Sequence, residues 1–287
     1  MIGDLVSFTT RDGVELSGFY VSAKGSKKCL IFIHGLSASF LWRGLWKGMP
    51  ETMATVVKRE GWNLLSFNNR GSNMINRLMR KGKKVTMGGA KERFEDCVKD
   101  IDAAIRYARK RGSNTIVLMG HSTGCQKSIY YQSKTRERRV NGIVLLAPAS
   151  DRDYEMKKLG KRFAKTLRLA RHMMKTGKGD HIMDQWKIPL TAKRYWNLHK
   201  PSSAEGGIFN YGTGKMSAVS RINVPTLAVY GSRDKYSVYG PKRELAMIGN
   251  AIHAPYQSAI IKNAKHGFES HEREVAALVG KWLRSLK

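Results

Sequence analysis

Four short apolar runs set the strongest limit on how this chain can fold. They are KCLIFIHG (28–35), WNLLSFN (62–68), TIVLMGH (115–121) and GIVLLAP (142–148), and none alternates apolar with polar residues. Strands buried on both faces look like this, because a parallel sheet is covered by helices on each side. A fifth such run, VPTLAVYG, follows at 224–231. Between the earlier runs lie segments with helical periodicity. Residues 90–111 place Phe94, Val98, Ile101, Ile105 and Ala108 on one face and end at Gly112, and residues 122–135 and 269–286 are also amphipathic. Alternating strands and helices predict a mostly parallel, doubly wound α/β sheet with right-handed crossovers.

The chain opens differently. DLVSFTT and VELSGFYVS flank the turn RDG, which predicts an antiparallel hairpin at the N-terminus. The stretch 151–223 is too long for a single crossover helix. It contains the basic, helical MKKLGKRFAKTLRLARHMMKTG and the Gly/Ser/Pro-rich NLHKPSSAEGGIFNYGTGK. We therefore expect a core of residues 1–150 and 224–287 and an inserted helical lid with its hinge at 151–223. Within it Phe163, Leu167, Leu169, Met173, Met174, Trp186, Tyr195 and Trp196 are candidates for an acyl pocket or for the insertion's own core, helical spacing favouring the core.

A serine stands between two glycines where the run TIVLM ends, in GHSTG (120–124). Three residues of this kind are weak evidence alone, but a strand before and a helix after make the setting of a nucleophile elbow. A serine hydroxyl needs a base within hydrogen-bond reach, and the base needs an acid to orient it. Asp234, in YGSRDKY, follows one buried strand, and His266, in AIIKNAKHGF, follows another. Asp151 and Asp153, after LLAPAS, are alternative acids at another strand end. The oxyanion donors expected are the backbone N–H groups of Leu36, in FIHGLSAS, and of Thr123. His34, beside Leu36, reads as a structural hydrogen bonder.

With the oxyanion strand, elbow, acid and histidine in this order, the chain resembles the α/β-hydrolases over nearly its whole length. GHSTGCQ and APASDRDYE resemble the elbow and post-strand segment of the fungal siderophore esterases, the fusarinine C esterase-like group. That resemblance implies serine ester hydrolysis with Ser122 as nucleophile, Asp234 as acid and His266 as base. The same atoms serve thioester or amide cleavage and acyl transfer. The loop SNMINRLMRKGKKVTMGG and the basic insertion depart from the siderophore pattern, so that specificity is not carried over.

Charge raises a second class of function. Lys and Arg number 52 against 22 acids, a formal net charge of +30, which attracts polyanions in a salt-dependent way. Arg70, Arg77, Arg80, Lys81, Lys83 and Lys84 are expected to rim the site and to draw in an anionic ester or surface. A binder of nucleic acid or anionic membrane that merely keeps a hydrolase fold is the competing reading, although no nucleic-acid motif is visible. No metal or organic cofactor is implied, since HExxH, GxGxxG and GxxxxGK[ST] patterns are missing. The three cysteines lack metal spacing, and the N-terminus has no signal-peptide pattern, so a small-molecule ester substrate and a cytoplasmic setting are expected.

Overall fold

The computed structural model describes residues 3–40, 49–183 and 189–286. The apolar runs become β3 (Lys28–Ile33), β4 (Asn63–Phe67), β7 (Thr115–His121), β8 (Val140–Leu146) and β11 (Thr226–Gly231). With β1 (Asp4–Thr9), β2 (Glu15–Val21) and β12 (Tyr256–Ile261) they form one sheet in the order β1-β2-β4-β3-β7-β8-β11-β12. The β1–β2 hairpin is antiparallel, with Asp4 opposite Tyr20, and β2 also runs antiparallel to β4; every pairing beyond β4 is parallel.

Helices cover both faces, and the strand order says which goes where. From β3 the chain moves through α1 (Met49–Arg59) to β4 on one side. From β4 it passes through α2 (Cys97–Lys110) to β7 on the other, and then through α3 (Thr123–Thr135) to β8 in the same direction. Right-handed crossovers in opposite directions put α1 on one face and α2 and α3 on the opposite one. The C-terminal α8 (Glu272–Ser285) joins α1, while α7 (Pro241–Ala251) links β11 to β12. The first turn of the helix expected from residue 90 is a separate 3₁₀ turn, Phe94–Asp96, and α2 starts at Cys97.

β3 and β7 are neighbours whose onward connections leave in opposite directions. A crevice forms at such a switch point, outside the carboxyl ends of the strands. The core beneath it is the predicted one: Leu30, Ile31 and Ile33 of β3, Val117 and Leu118 of β7 and Val144 to Leu146 of β8 are fully buried. Cys29, Cys97 and Cys125 are buried free thiols.

The stretch after β4 was expected to be a basic loop. It is instead an antiparallel hairpin, β5 (Asn76–Arg80) and β6 (Lys83–Met87), whose turn is Lys81 and Gly82 with φ of 49° and 74°. Arg77, Arg80, Lys81, Lys83 and Lys84 are exposed on it, but Arg70 is not a rim residue. Its guanidinium is buried against Asp100 at 2.7 Å and Asp12 at 3.0 Å, so its charge is neutralised inside the fold.

Residues 151–223 contain α4 (Asp151–Leu159), α5 (Arg162–Lys175), a small pairing of β9 (Ile182–Met183) with β10 (Leu190–Thr191), and α6 (Ala192–His199). Ala170, Met183, Leu190, Ala192, Tyr195 and Leu198 bury one another in a separate cluster, with Leu167, Met173 and Trp196 packed on it. Those aromatic and methionine side chains are the segment's own core. Phe163 is buried beside His199, Leu169 is exposed, Met174 is half-buried, and Trp186 lies outside the described residues. The Gly-rich part is no loose hinge, because Ile208, Phe209, Tyr211, Met216 and Val219 pack into the main core.

Candidate active site

Ser122 sits at the switch point, between the end of β7 and the start of α3, with φ 53° and ψ −125°. A non-glycine residue pays roughly 1–3 kcal/mol for such a conformation, so its surroundings must hold it there. Three contacts do so. The Ser122 N–H donates to the Leu146 carbonyl at the end of β8 (2.9 Å), and the Ser122 carbonyl accepts from the Cys125 N–H (2.8 Å). On the β3 side Gly35 lies so close that a Cβ there would be 3.1 Å from the Ser122 Cβ and 3.6 Å from its Oγ.

Glycines permit the tight turn. A Cβ on Gly120 would meet the Gly124 carbonyl carbon and oxygen at 2.3 Å, and one on Gly124 would meet the Ile33 carbonyl oxygen at 2.0 Å. These close approaches bring the N-terminus of α3 against the end of β3. The Thr123 N–H belongs to the first turn of α3, where amides have no intrahelical acceptor. Leu36 follows the Gly35 contact directly, so both proposed oxyanion donors flank the serine's side of the crevice.

The base and acid arrive from the far strands. His266 lies in the loop after β12, and its Nδ1 is 2.8 Å from Asp234 Oδ2 in the loop after β11. The other carboxylate oxygen of Asp234 accepts the Tyr236 N–H at 2.9 Å, which fixes the carboxylate plane. With Nδ1–H donated to Asp234, Nε2 of a neutral His266 is left as the proton acceptor. The Tyr236 ring packs on the His266 ring, centroids 4.5 Å apart.

Two residues that sequence reasoning did not assign roles at the elbow join this arrangement. His121 Nε2–H donates to the His266 carbonyl (2.9 Å), tying the histidine loop to the strand that ends in Ser122. Burial and the neighbouring His266 hold His121 well below the usual histidine range, so it is neutral. Asp151, weighed as an alternative acid, instead accepts hydrogen bonds from Thr123 Oγ1 (3.2 Å) and Gln126 Nε2 (3.3 Å) on α3. Burial raises its carboxyl above the ordinary range, against the opposing charge of Arg194. The Asp153 carboxylate accepts the Gly212 N–H (3.3 Å), while the Asp153 backbone N–H donates to Ser150 Oγ (3.2 Å) as the cap of α4. An imidazole N–H donating into a loop carbonyl 145 residues further along leaves little in the sequence to mark it.

His34 behaves as expected of a structural group. Its Nδ1–H donates to the Gly35 carbonyl at 2.8 Å and its Nε2 accepts the Asn69 N–H at 3.2 Å. Burial, with the nearby Lys127 charge, pulls it down to about 4. Below it runs a chain of fully buried charges. Lys127 of α3 bonds Glu92, Arg194 of α6 lies 3.8 Å from the other Glu92 oxygen, and Arg194 grips Glu205 at 2.8 Å. Thr191 also donates through N–H and Oγ1 to the Ala90 carbonyl, both at 3.0 Å. The 151–223 segment is thereby fastened to the core beside the elbow helix.

No cluster of His, Cys, Asp or Glu suited to a metal ion occurs among the described residues. Residues 88–287 match the model of a family described as a protein of unknown function, DUF1749. No curated protein matches the sequence. Est1E from Butyrivibrio proteoclasticus, solved with ferulic acid bound, superposes with a TM-score of 0.67 at 16% identity, over 98% of this chain and 99% of that one. The α/β-hydrolase GrgF from Penicillium sp. sh18 gives 0.71 at 14%, over 100% and 98%. The Pyrococcus furiosus esterase Pf2001 gives 0.63 at 18%, over 99% and 91%. At these identities the likeness is one of fold, and the narrower resemblance to siderophore esterases rests on the sequence motifs alone. The chain belongs to the DUF1749 family, and its fold is that of the α/β-hydrolases.

Proposed function

We propose that the protein is a serine hydrolase of carboxylic esters, with Ser122, His266 and Asp234 as its triad. The observation that carries this reading is the His266–Asp234 pair, 2.8 Å apart, at the same sheet end as a serine held at φ 53°. The pair of φ 53° and ψ −125° is strained for a serine, and strain of that kind clusters at active sites. The esterases among the structural neighbours support the same class of reaction.

In this mechanism Ser122 Oγ attacks the ester carbonyl carbon while its proton passes to His266 Nε2. The C=O pair moves onto oxygen, and the Leu36 and Thr123 N–H groups receive that charge. Collapse breaks the C–O bond, and the departing alcohol takes the proton from His266. Water then attacks the acyl group, its proton again taken by His266, and the acid leaves as Ser122 regains its hydrogen. Asp234 keeps the imidazole in the required tautomer throughout. Residues 151–223 act as a lid over the crevice.

The reading extends to substrate charge. Gly89, at the base of the basic hairpin, lies against Ser37 of the oxyanion loop, and the Asn73 N–H donates to the Ala38 carbonyl (3.0 Å). Arg77, Arg80, Lys81, Lys83 and Lys84 thus stand on a support rooted at the site, and anionic esters are favoured through steering. Hydrolysis of p-nitrophenyl esters by the intact chain and by Ser122→Ala tests the reaction. Turnover lost in the variant supports it, and undiminished turnover refutes it. Salt that slows anionic esters but leaves neutral ones of equal acyl length untouched supports the charge preference.

A further inference from the structure

Helix α5 carries a row of cations of which the fold engages Arg171, 5.7 Å over the Trp196 ring, and the triad none. Its buried arc holds Phe163, Thr166 and Ala170, with Leu167, Met173 and Met174 half-buried at its edges. The opposite half-turn presents Arg162, Lys165, Arg168, Arg171 and Lys175, with His172 among them, all exposed. From Met156 to Gly179 the sequence has no acidic residue. Among the described residues the ion pairs of the segment are Lys158–Glu155, Arg194–Glu92 and Arg194–Glu205, and no carboxylate pairs with an α5 cation.

Apolar groups accompany these charges. Leu169 lies within the cationic arc, 38% exposed. Met156 (40%), just before the basic run, and Ile182 (39%), just after it, are exposed as well. A helix of this length is about 20 Å long, with cations along its whole outer face. Cationic side chains with an apolar residue between them match the headgroup region of an anionic bilayer, where phosphates take the charges and acyl chains take the leucine. A nucleic acid would use the cations but has no equivalent place for Leu169. No helix among the described residues is long and apolar enough to cross a membrane, so the contact is peripheral.

We propose that the outer face of α5 is a docking surface for an anionic lipid bilayer. This does not rest on the proposed triad, because Ser122→Ala should bind as the intact chain does. Each Lys or Arg brought to such a surface strengthens partitioning about fivefold before screening.

The test is cosedimentation with vesicles of phosphatidylcholine alone and with added phosphatidylglycerol, at about 0.1 M salt. The variant Arg162→Gln/Lys165→Gln/Arg168→Gln/Lys175→Gln removes four exposed charges and keeps helix-compatible side chains. A matched control, Lys24→Gln/Lys27→Gln/Arg109→Gln/Lys110→Gln, removes four exposed charges from the opposite end of the sheet. Circular dichroism and a thermal melt verify that each variant is folded. Expected are binding only to phosphatidylglycerol vesicles, a loss on the order of 100-fold in the α5 variant, and a much smaller loss in the control. Leu169→Gln should weaken vesicle binding several-fold and leave duplex DNA binding unchanged. Equal losses in the two four-site variants would reduce the effect to net charge and overturn the proposal. So would no binding to either vesicle, or duplex DNA bound more tightly than vesicles through α5 with no effect of Leu169→Gln.

Discussion

Replacing Gly124 by alanine isolates the close approach on which the elbow depends. At an ordinary helix position Gly→Ala stabilises by roughly 0.5–1 kcal/mol, because alanine loses less conformational entropy. Here the added Cβ would fall 2.0 Å from the Ile33 carbonyl oxygen and 3.1 Å from that of His34. A carbon and an oxygen in contact need more than 3 Å, so about 1 Å of overlap must be relieved. β3 cannot give way easily, since it is hydrogen-bonded to β4 on one side and β7 on the other. The N-terminus of α3 must therefore move away from β3, and overpacking of this kind costs about 1–3 kcal/mol. Ser122 and the Thr123 N–H move with α3 while Leu36 stays with β3. A displacement of about 1 Å between nucleophile and oxyanion donor costs roughly 10²-fold in rate. Urea unfolding and kcat/KM on p-nitrophenyl acetate, measured together, test both. The expected result is a destabilised protein, by about 1–3 kcal/mol, with kcat/KM reduced about 10²-fold. A Gly124→Ala protein as stable and as active as the parent would refute the packing argument.

Further outcomes follow from the same geometry. Asp234→Asn keeps the shape but alters the imidazole tautomer, and kcat should fall by about 10⁴-fold with folding unchanged; steady-state kinetics beside a thermal melt decide this. Glu92→Gln leaves Lys127 and Arg194 buried without their shared carboxylate, and denaturant unfolding should show a loss of about 3–5 kcal/mol. His34 is held near 4 in the fold against 6.5 in the unfolded chain. Its neutral-state stabilisation is complete above about pH 6.5 and is lost as pH falls from there toward 4, a difference of about 3 kcal/mol. Urea unfolding at pH 7 and pH 4.5 should therefore show a shallower pH dependence in His34→Gln than in the parent.

The parts of the fold legible in the sequence were those set by local pattern. Strands β3, β4, β7 and β8 were marked by unbroken apolar runs, the first hairpin by RDG between alternating residues, and the elbow by a serine between glycines after a strand. Hairpin β5–β6 was hidden because its turn is Lys81–Gly82, and a lysine at φ 49° is not the Asn or Asp that usually signals such a turn. Neither strand alternates strictly, since Leu78 and Met79 are both half-buried and Lys83 and Lys84 both exposed. The Arg70 pairing escaped because its partners come from two distant parts of the chain, Asp12 in the first hairpin's turn and Asp96 and Asp100 at the start of α2. Charge composition tells that cations are plentiful, not which ones the fold neutralises.

At the site, chain order marked Ser122, Asp234 and His266, but the choice between Asp234 and Asp151 needed distances across strands far apart in sequence. The hydrogen bond from His121 to the His266 backbone, and the role of Asp151 on Thr123 and Gln126, leave no periodic trace. The same holds for the buried chain from Lys127 to Glu205, since lysine, arginine and glutamate read as surface residues until their partners are known.

Whether Ser122 is an activated nucleophile is decided most directly by covalent labelling. The chain is treated with a fluorophosphonate, digested, and its peptides are mapped by mass spectrometry, with ester turnover followed in the same samples. The account predicts one phosphonylated serine, Ser122, with labelling and loss of turnover advancing together and both slowed in His266→Ala. A folded protein that hydrolyses esters while Ser122 stays unmodified, or that is labelled at another serine as turnover is lost, would contradict it.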